Sequence, residues 1–372
     1  MKKITKERLE QLSKKWLDKT ITEEEMWEFE SWYASFDDFS FDEFSEEEAE
    51  ELGQRMFKRL SSLSIDPPIQ KSRIVHWRAN IFKYVAAVLL LTFSLYWYYD
   101  NFYNRIAPGG NKLFVYSPSG TKYNLTDVGV GEQFKLGTSS FKKLDSTTLM
   151  MQPLVSTLEP VEYTTIITPR GGEYKVMLTD GTIVWLNADS KIEIPSRFDD
   201  SIRHVRLRGE AFFEVAHKAQ SRFVVETDYE KITVFGTKFN VLAYANIRQS
   251  QTSLTEGSVE VKSTISADKV MLKPGYRSLN SGRGVSVATF DPDEVLAWKN
   301  GEFMFNGLEL QEALHRLSRW YDVDFVFESN NKKQKLVWGT LSKFEEFKDA
   351  LLVLEGANIA KFKVEGRRVI VK

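Results

Sequence analysis

Residues able to do chemistry are few and scattered in this sequence. Thr237 follows Gly236 between two strand-like runs, ITVF and KFNV. A threonine hydroxyl can attack the carbonyl that precedes it when the turn is strained, and a glycine there permits close approach. The other reading of Gly236-Thr237 is a β-turn or bulge that is never cut. Arg170-Gly171-Gly172 is too short for a phosphate cradle and reads as a turn into a strand. His76, His204, His217 and His315 stand apart, and none has a partner at the i+4 spacing of a helical metal site. The absence of cysteine excludes disulfides, thiolate metal ligands and a cysteine nucleophile. No Ser/His/Asp set stands out, so the expectation is no enzyme and no cofactor, and function is sought in binding.

The elements that would present a binding surface differ along the chain. At roughly 100–200 residues per domain, 372 residues suggest two or three domains. A net charge of -2 argues against direct nucleic-acid binding through phosphates. Residues 1–65 hold 17 acidic and 10 basic side chains. Their apolar residues recur at helical spacing: Leu9, Leu12, Trp16 and Leu17, then Met26, Trp27, Phe29 and Trp32, then Met56, Phe57 and Leu60. Thr22 and Glu25 fit a capping box. Three or four short helices are expected, forming a small all-α head. The run FDDFSFDEF at 36–44 alternates aromatics with acids. It reads either as a solvated loop or as a peptide suited to a basic partner.

Residues 66–80, with Pro67 and Pro68, read as a linker, and 81–99 as one transmembrane helix. The span from Tyr84 to Tyr99 carries no charge, and Tyr96, Trp97, Tyr98 and Tyr99 make an aromatic belt. Lys71, Arg73, Arg78 and Lys83 precede it, against Asp100 and Arg105 after it. The basic side stays cytoplasmic. The N-terminus is therefore expected in the cytoplasm and the C-terminus in the periplasm, with the chain resident in the inner membrane.

Residues 100–165 read as a periplasmic linker and β region, and 166–290 as a β-rich domain, either a sandwich or solenoid-like. Asp180-Gly181 is a hairpin signal between Val176-x-Leu178 and Ile183-x-Trp185. VYSPSGTKYNL at 115–125 aligns with VMLTDGTIVWL at 176–186, each match 61 positions on. Residues 126–160 are poorly patterned. Residues 298–372 read strand, helix, strand twice over, with a closing hairpin at Glu365-Gly366, a C-terminal α+β domain of βαβ-βαββ order. Leu310, Leu314, Leu317 and Trp320 share one helix face.

Several long runs resemble the FecR family of membrane-bound anti-sigma factors. They are TPRGGEYKVMLTDGTIVWLNADSKIEIP (168–195), VRLRGEAFFEVAHKAQSRFVVET (205–227), ITVFGTKFNVLAY (232–244), LTEGSVEV (254–261), LKPGYRS (272–278) and WKNGEFMFNGLELQEALHRLSRWYDV (298–323). LSKKWLDKTITEEEMWEFESWYA is similar to the family's cytoplasmic heads, and the last 70 residues to its signalling and secretin-like short domain. The resemblance implies a relay. An outer-membrane TonB-dependent receptor presents its periplasmic signalling domain to this chain, and the head releases or delivers an extracytoplasmic-function sigma factor to control uptake genes. Some relatives self-cleave at a Gly-Thr in this motif, and regulatory proteases are further partners. Trp16, Leu17, Trp27, Trp32 and Tyr33 are the candidate sigma-factor contacts, and Leu310, Leu314, Leu317 and Trp320 the candidate receptor contacts. The alternative is a membrane-tethered periplasmic module that binds glycan or protein through Trp185 and Trp338, without a sigma factor.

Overall fold

The computed structural model describes residues 4–33, 85, 87–96, 98, 105–152, 160–247 and 249–372. The chain divides into two compact units, Met1–Thr92 and Phe93–Lys372, and is predominantly β-sheet.

In the first unit, α1 (Lys6–Leu17) and α2 (Glu23–Tyr33) form a helix pair. The capping box at the start of α2 is made. The Glu25 N–H donates to Thr22 Oγ1 at 3.4 Å, and the Thr22 N–H donates to the Glu25 carboxylate at 3.3 Å. Lys15 Nζ reaches Glu25 at 2.6 Å and Arg8 reaches Glu28 at 3.0 Å, which ties the two helices together. Leu12 is buried, but one buried leucine is not the core of a bundle. The expected small all-α head is therefore corrected to a two-helix pair among the described residues. Met56, Phe57, Leu60, the 36–44 run and the 66–80 linker lie outside them.

The expected transmembrane helix is also corrected. Among the described residues no helix is long and apolar enough to cross a membrane. Val85, residues 87–96 and Tyr98 are helical with exposed apolar side chains.

The second unit opens with β1 (Gly110–Asn111), β2 (Phe114–Tyr116), β3 (Lys122–Asn124), β4 (Gln133–Leu136), β5 (Ser139–Lys143) and β6 (Thr148–Gln152). It continues with β7 (Tyr163–Thr168), β8 (Gly172–Met177), β9 (Ile183–Leu186), β10 (Ser190–Pro195), β11 (Ile202–Glu214), β12 (Arg222–Glu226) and β13 (Glu230–Val234). Then come β14 (Lys238–Ala243), β15 (Ser250–Glu256), β16 (Val259–Ser263), β17 (Lys269–Leu272), β18 (Tyr276–Asn280) and β19 (Val285–Thr289).

One half-sheet runs β3–β2–β7–β10–β11–β12–β13–β16–β17. The other runs β4–β5–β6–β8–β9–β11–β14–β15–β18–β19. They share β11, so the whole is one curled sheet folded over its own core. The turn happens at Gly209, whose φ is +106°. Residues before it pair with β10 and β12, and residues after it with β9 and β14. Inward-facing residues of both halves fill the core, and Phe213 stacks on Phe239 at 5.1 Å.

The 61-residue repeat is a repeat of structure. In both hairpins the same two turn bonds form: Ser117 N to Thr121 O and Gly120 N to Ser117 O, against Leu178 N to Thr182 O and Gly181 N to Leu178 O. Gly120 and Gly181 both have positive φ, 84° and 90°. The stretch left unpatterned in the sequence supplies β4, β5 and β6, which extend the second half-sheet.

After α3 (Pro292–Leu296) come β20 (Glu302–Glu309), α4 (Leu310–Tyr321), β21 (Asp324–Phe327), β22 (Leu336–Ser342), α5 (Phe347–Gly356), β23 (Phe362–Glu365) and β24 (Arg368–Val371). β20 pairs antiparallel with β22, and β21 runs parallel to β24, which closes on β23. Leu310, Ala313, Leu314, Leu317 and Trp320 turn α4 onto a core shared with Phe347, Ala350, Leu351 and Leu354 of α5.

Candidate functional site

The densest polar construction lies where the C-terminal α/β segment meets the curled sheet. The turn from β7 to β8 carries Pro169-Arg170-Gly171. Arg170 reaches across to the end of α4. Its guanidinium donates to Ser318 O at 3.1 Å, Ser318 Oγ at 2.9 Å, Val323 O at 2.5 Å and Asp324 Oδ1 at 2.8 Å, with Asp322 at 3.2 Å. The Gly171 N–H donates to Arg319 O at 2.7 Å. The last carbonyls of a helix lack partners within the helix, and the sheet supplies them here. The Arg-Gly-Gly turn is thus a strand entry, as its length implied, and also a cap for a helix about 150 residues on in the sequence.

Next to it, Lys343 is fully buried. Its ammonium donates to Glu173 of β8 at 2.5 Å and to Trp298 O at 3.0 Å, and it lies 3.9 Å from the Trp320 ring centroid. Trp320 Nε1 donates to Lys343 O at 2.7 Å. Burial holds the Lys343 ammonium below the usual lysine range, against the pull of Glu173. A third tie runs through amides. Trp298 Nε1 donates to Asn240 Oδ1 at 3.3 Å, and Asn240 and Asn187 donate to the two oxygens of Glu210 at 3.0 and 2.8 Å. The Arg319 guanidinium lies 4.0 Å from the Tyr244 ring centroid, and Tyr244 donates to Ala188 O at 2.7 Å. Burial raises Asp189 nearby, with Arg319 and Arg170 opposing. A cavity of about 60 Å³ between the two parts, lined by Glu210, Asn240, Glu294, Trp298, Arg316 and Arg319 among others, has room for a few waters.

The residues singled out in the sequence fall in three places. Leu310, Leu314, Leu317 and Trp320 are buried in the C-terminal core. As receptor contacts they are corrected: one face of α4 is apolar because its own domain covers it. Trp16 and Trp27 are 51% and 74% exposed. Trp16 stacks on Phe29, and Phe29 on Trp32, at 6.4 and 6.1 Å. The side chains of Leu17 and Tyr33 lie outside the described residues. Thr237 is nearly buried, and its hydroxyl donates to Ser258 O at 3.1 Å. Gly236 lies hard against His217, since a Cβ there would sit 2.6 Å from Nδ1. Trp185 is held by Lys299 at 4.0 Å from its ring centroid, whereas Trp338 is exposed. Among the described residues no group of histidine and carboxylate side chains is arranged to hold a metal. Sequence reasoning gave Lys343 and Trp298 no role, and treated Arg170 only as part of a turn.

The second unit thus joins a curled β domain to a small α/β domain bonded onto one of its turns. The model "FecR protein" matches residues 164–260, and the model "FecR, C-terminal" matches 302–371. These two stretches match domains of the FecR family. Two crystal structures of a candidate anti-sigma factor from Parabacteroides distasonis ATCC 8503, at 1.65 and 2.50 Å resolution, are similar to it at 28% identity. Each has a TM-score of 0.52 and covers 56% of this chain and 98% of its own. No curated protein matches the chain. Family and structural neighbour together support an anti-sigma role.

Proposed function

We propose that this chain is an anti-sigma factor that acts by binding and release, without turnover. Its N-terminal helix pair holds an extracytoplasmic-function sigma factor. Its C-terminal α/β domain takes the signal from the periplasmic signalling domain of an outer-membrane TonB-dependent receptor. The observation that carries the sigma-factor half is the exposure of Trp16 and Trp27 on helices edged by Glu23, Glu24 and Glu25. Large rings left in water beside carboxylates suit a partner with an apolar groove and a basic rim. Residence at the inner membrane, with the head cytoplasmic and the C-terminal domain periplasmic, belongs to the same proposal. It rests on the charges around residues 71–105 and is tested by protease access in spheroplasts. Self-cleavage at Gly236-Thr237 is tested by the mass of the purified chain.

The full-length chain is expected to co-purify with its cognate sigma factor. Trp27→Ala is expected to weaken that capture on the order of 30-fold, the loss of one anchor of about 2 kcal/mol. Unchanged capture in the Trp16→Ala, Trp27→Ala double variant would remove the head from the mechanism.

A further inference from the structure

The interior of the curled sheet is apolar along most of its length and polar at the end formed by β13, β15 and β18. Glu230, the first residue of β13, is fully buried. Ser250 and Thr252 of β15, Ser263 of β16, and Ser278 and Asn280 of β18 are buried too. The strand registers set Glu230 opposite Ser263, Ser250 opposite Asn280 and Thr252 opposite Ser278. Thr252 donates its hydroxyl to Glu230 Oε1 at 2.5 Å. Asn280 is occupied: its amide donates to Tyr229 O at 2.7 Å, and its Oδ1 accepts from Gly282 N at 3.1 Å. Among the described residues of these strands, Glu230 Oε2, Ser250 Oγ and Ser278 Oγ, and Arg277 Nε on the outer face, are buried without a hydrogen-bond partner.

Among the described residues no charge compensates the carboxyl. Strand alternation turns Lys231 on β13, Glu226 on β12, Glu260 and Lys262 on β16, and Arg277 on β18 to the outer face. A lone buried carboxylate costs several kcal/mol, whereas a carboxylic acid there can donate from Oε2 to a hydroxyl that lacks a partner. We propose that Glu230 is held as a neutral acid in this polar end, and that loss of its proton loosens the β13–β15–β18 end of the sheet. The domain is thereby responsive to pH.

Burial pushes the Glu230 carboxyl up to about 7, with the Thr252 hydroxyl opposing. The folded value lies above the unfolded one. The proton-linked stability is therefore full at low pH, below the ordinary glutamate range, and is lost as pH rises through about 7.

The test compares thermal unfolding of the full-length chain with that of Glu230→Gln, whose amide can still donate. Between about pH 5 and about pH 8 the parent is expected to lose on the order of 5 °C more than the variant. At the upper pH the variant is expected to melt above the parent. Parallel pH profiles would overturn the proposal. Infrared titration of the parent is the second measurement, and it decides alone if Glu230→Gln fails to fold. A protonated carboxyl band that persists until about pH 7 supports the proposal, and one lost in the ordinary glutamate range overturns it.

Discussion

Lys343 and Glu173 are unequal partners in one ion pair. The Lys343 side chain is buried, while Glu173 keeps 25% of its side chain exposed. Removing the glutamate strands an ammonium where water does not reach; removing the lysine leaves a carboxylate that water still solvates. Glu173→Gln is therefore expected to cost about 2–4 kcal/mol, and Lys343→Met about 1–2 kcal/mol. Chemical denaturation of both variants checks the order, and the reverse ranking contradicts the burial argument. Lys343 carried no signal in the sequence, because a lysine between a strand and a helix reads as solvated until the fold is closed around it. The apolar face of α4 was legible, but its purpose was not. Periodicity shows which side of a helix must be covered, and the covering can come from the chain itself or from a partner. For Leu310, Leu314, Leu317 and Trp320 it is the chain itself.

The element that makes the β domain possible is β11. A Cβ at Gly209 would stand 2.4 Å from Ser190 Oγ and 2.6 Å from Ser190 Cα, at a φ of +106°. Gly209→Ala is expected to destabilise by about 3 kcal/mol or more, or to abolish folding. Retention of parental stability in denaturant would show that β11 can turn without it. The alternation of Val205-Arg206-Leu207-Arg208 marks a strand, and Asp180-Gly181 marks a hairpin turn. That residues 202–214 form one strand serving two half-sheets was not visible, because alternation reports faces and says nothing of which neighbour a strand pairs with. Strands β4, β5 and β6 escaped for another reason. QFKL, SSFKK and TLMMQ are short; alternate positions of the first two are buried, but one of those in SSFKK is a serine, and TLMMQ buries two neighbouring positions.

The two family domains behave as parts of one compact unit, because helix α4 ends on a turn of the sheet. Arg170→Ala is expected to free that end. Opening would expose the 290–301 connection, and limited proteolysis there is expected to quicken on the order of 30-fold, the loss of about 2 kcal/mol of charge-assisted bonds. Arg170→Lys is not expected to restore protection, since an ammonium cannot match a planar fork that serves several acceptors. Cleavage at the parental rate in Arg170→Ala would show that the other ties suffice. The order of strands and helices over 302–371 could be read from the sequence, for its apolar runs are short and separated by turns. The bonding of that segment to the sheet could not, because it joins residues far apart in the sequence.

Arg170 and Gly171 belong to the β7–β8 turn and Glu173 to the start of β8, and each of those strands is flanked on both edges: β7 by β2 and β10, β8 by β6 and β9. Traction on the C-terminal segment thus enters the sheet at the tips of two interior strands. Pulled lengthwise, such strands must shear whole rows of hydrogen bonds together and cannot be peeled off one bond at a time. A tug that does not first tear out the Arg170 and Lys343 anchors will be carried by the sheet as a block.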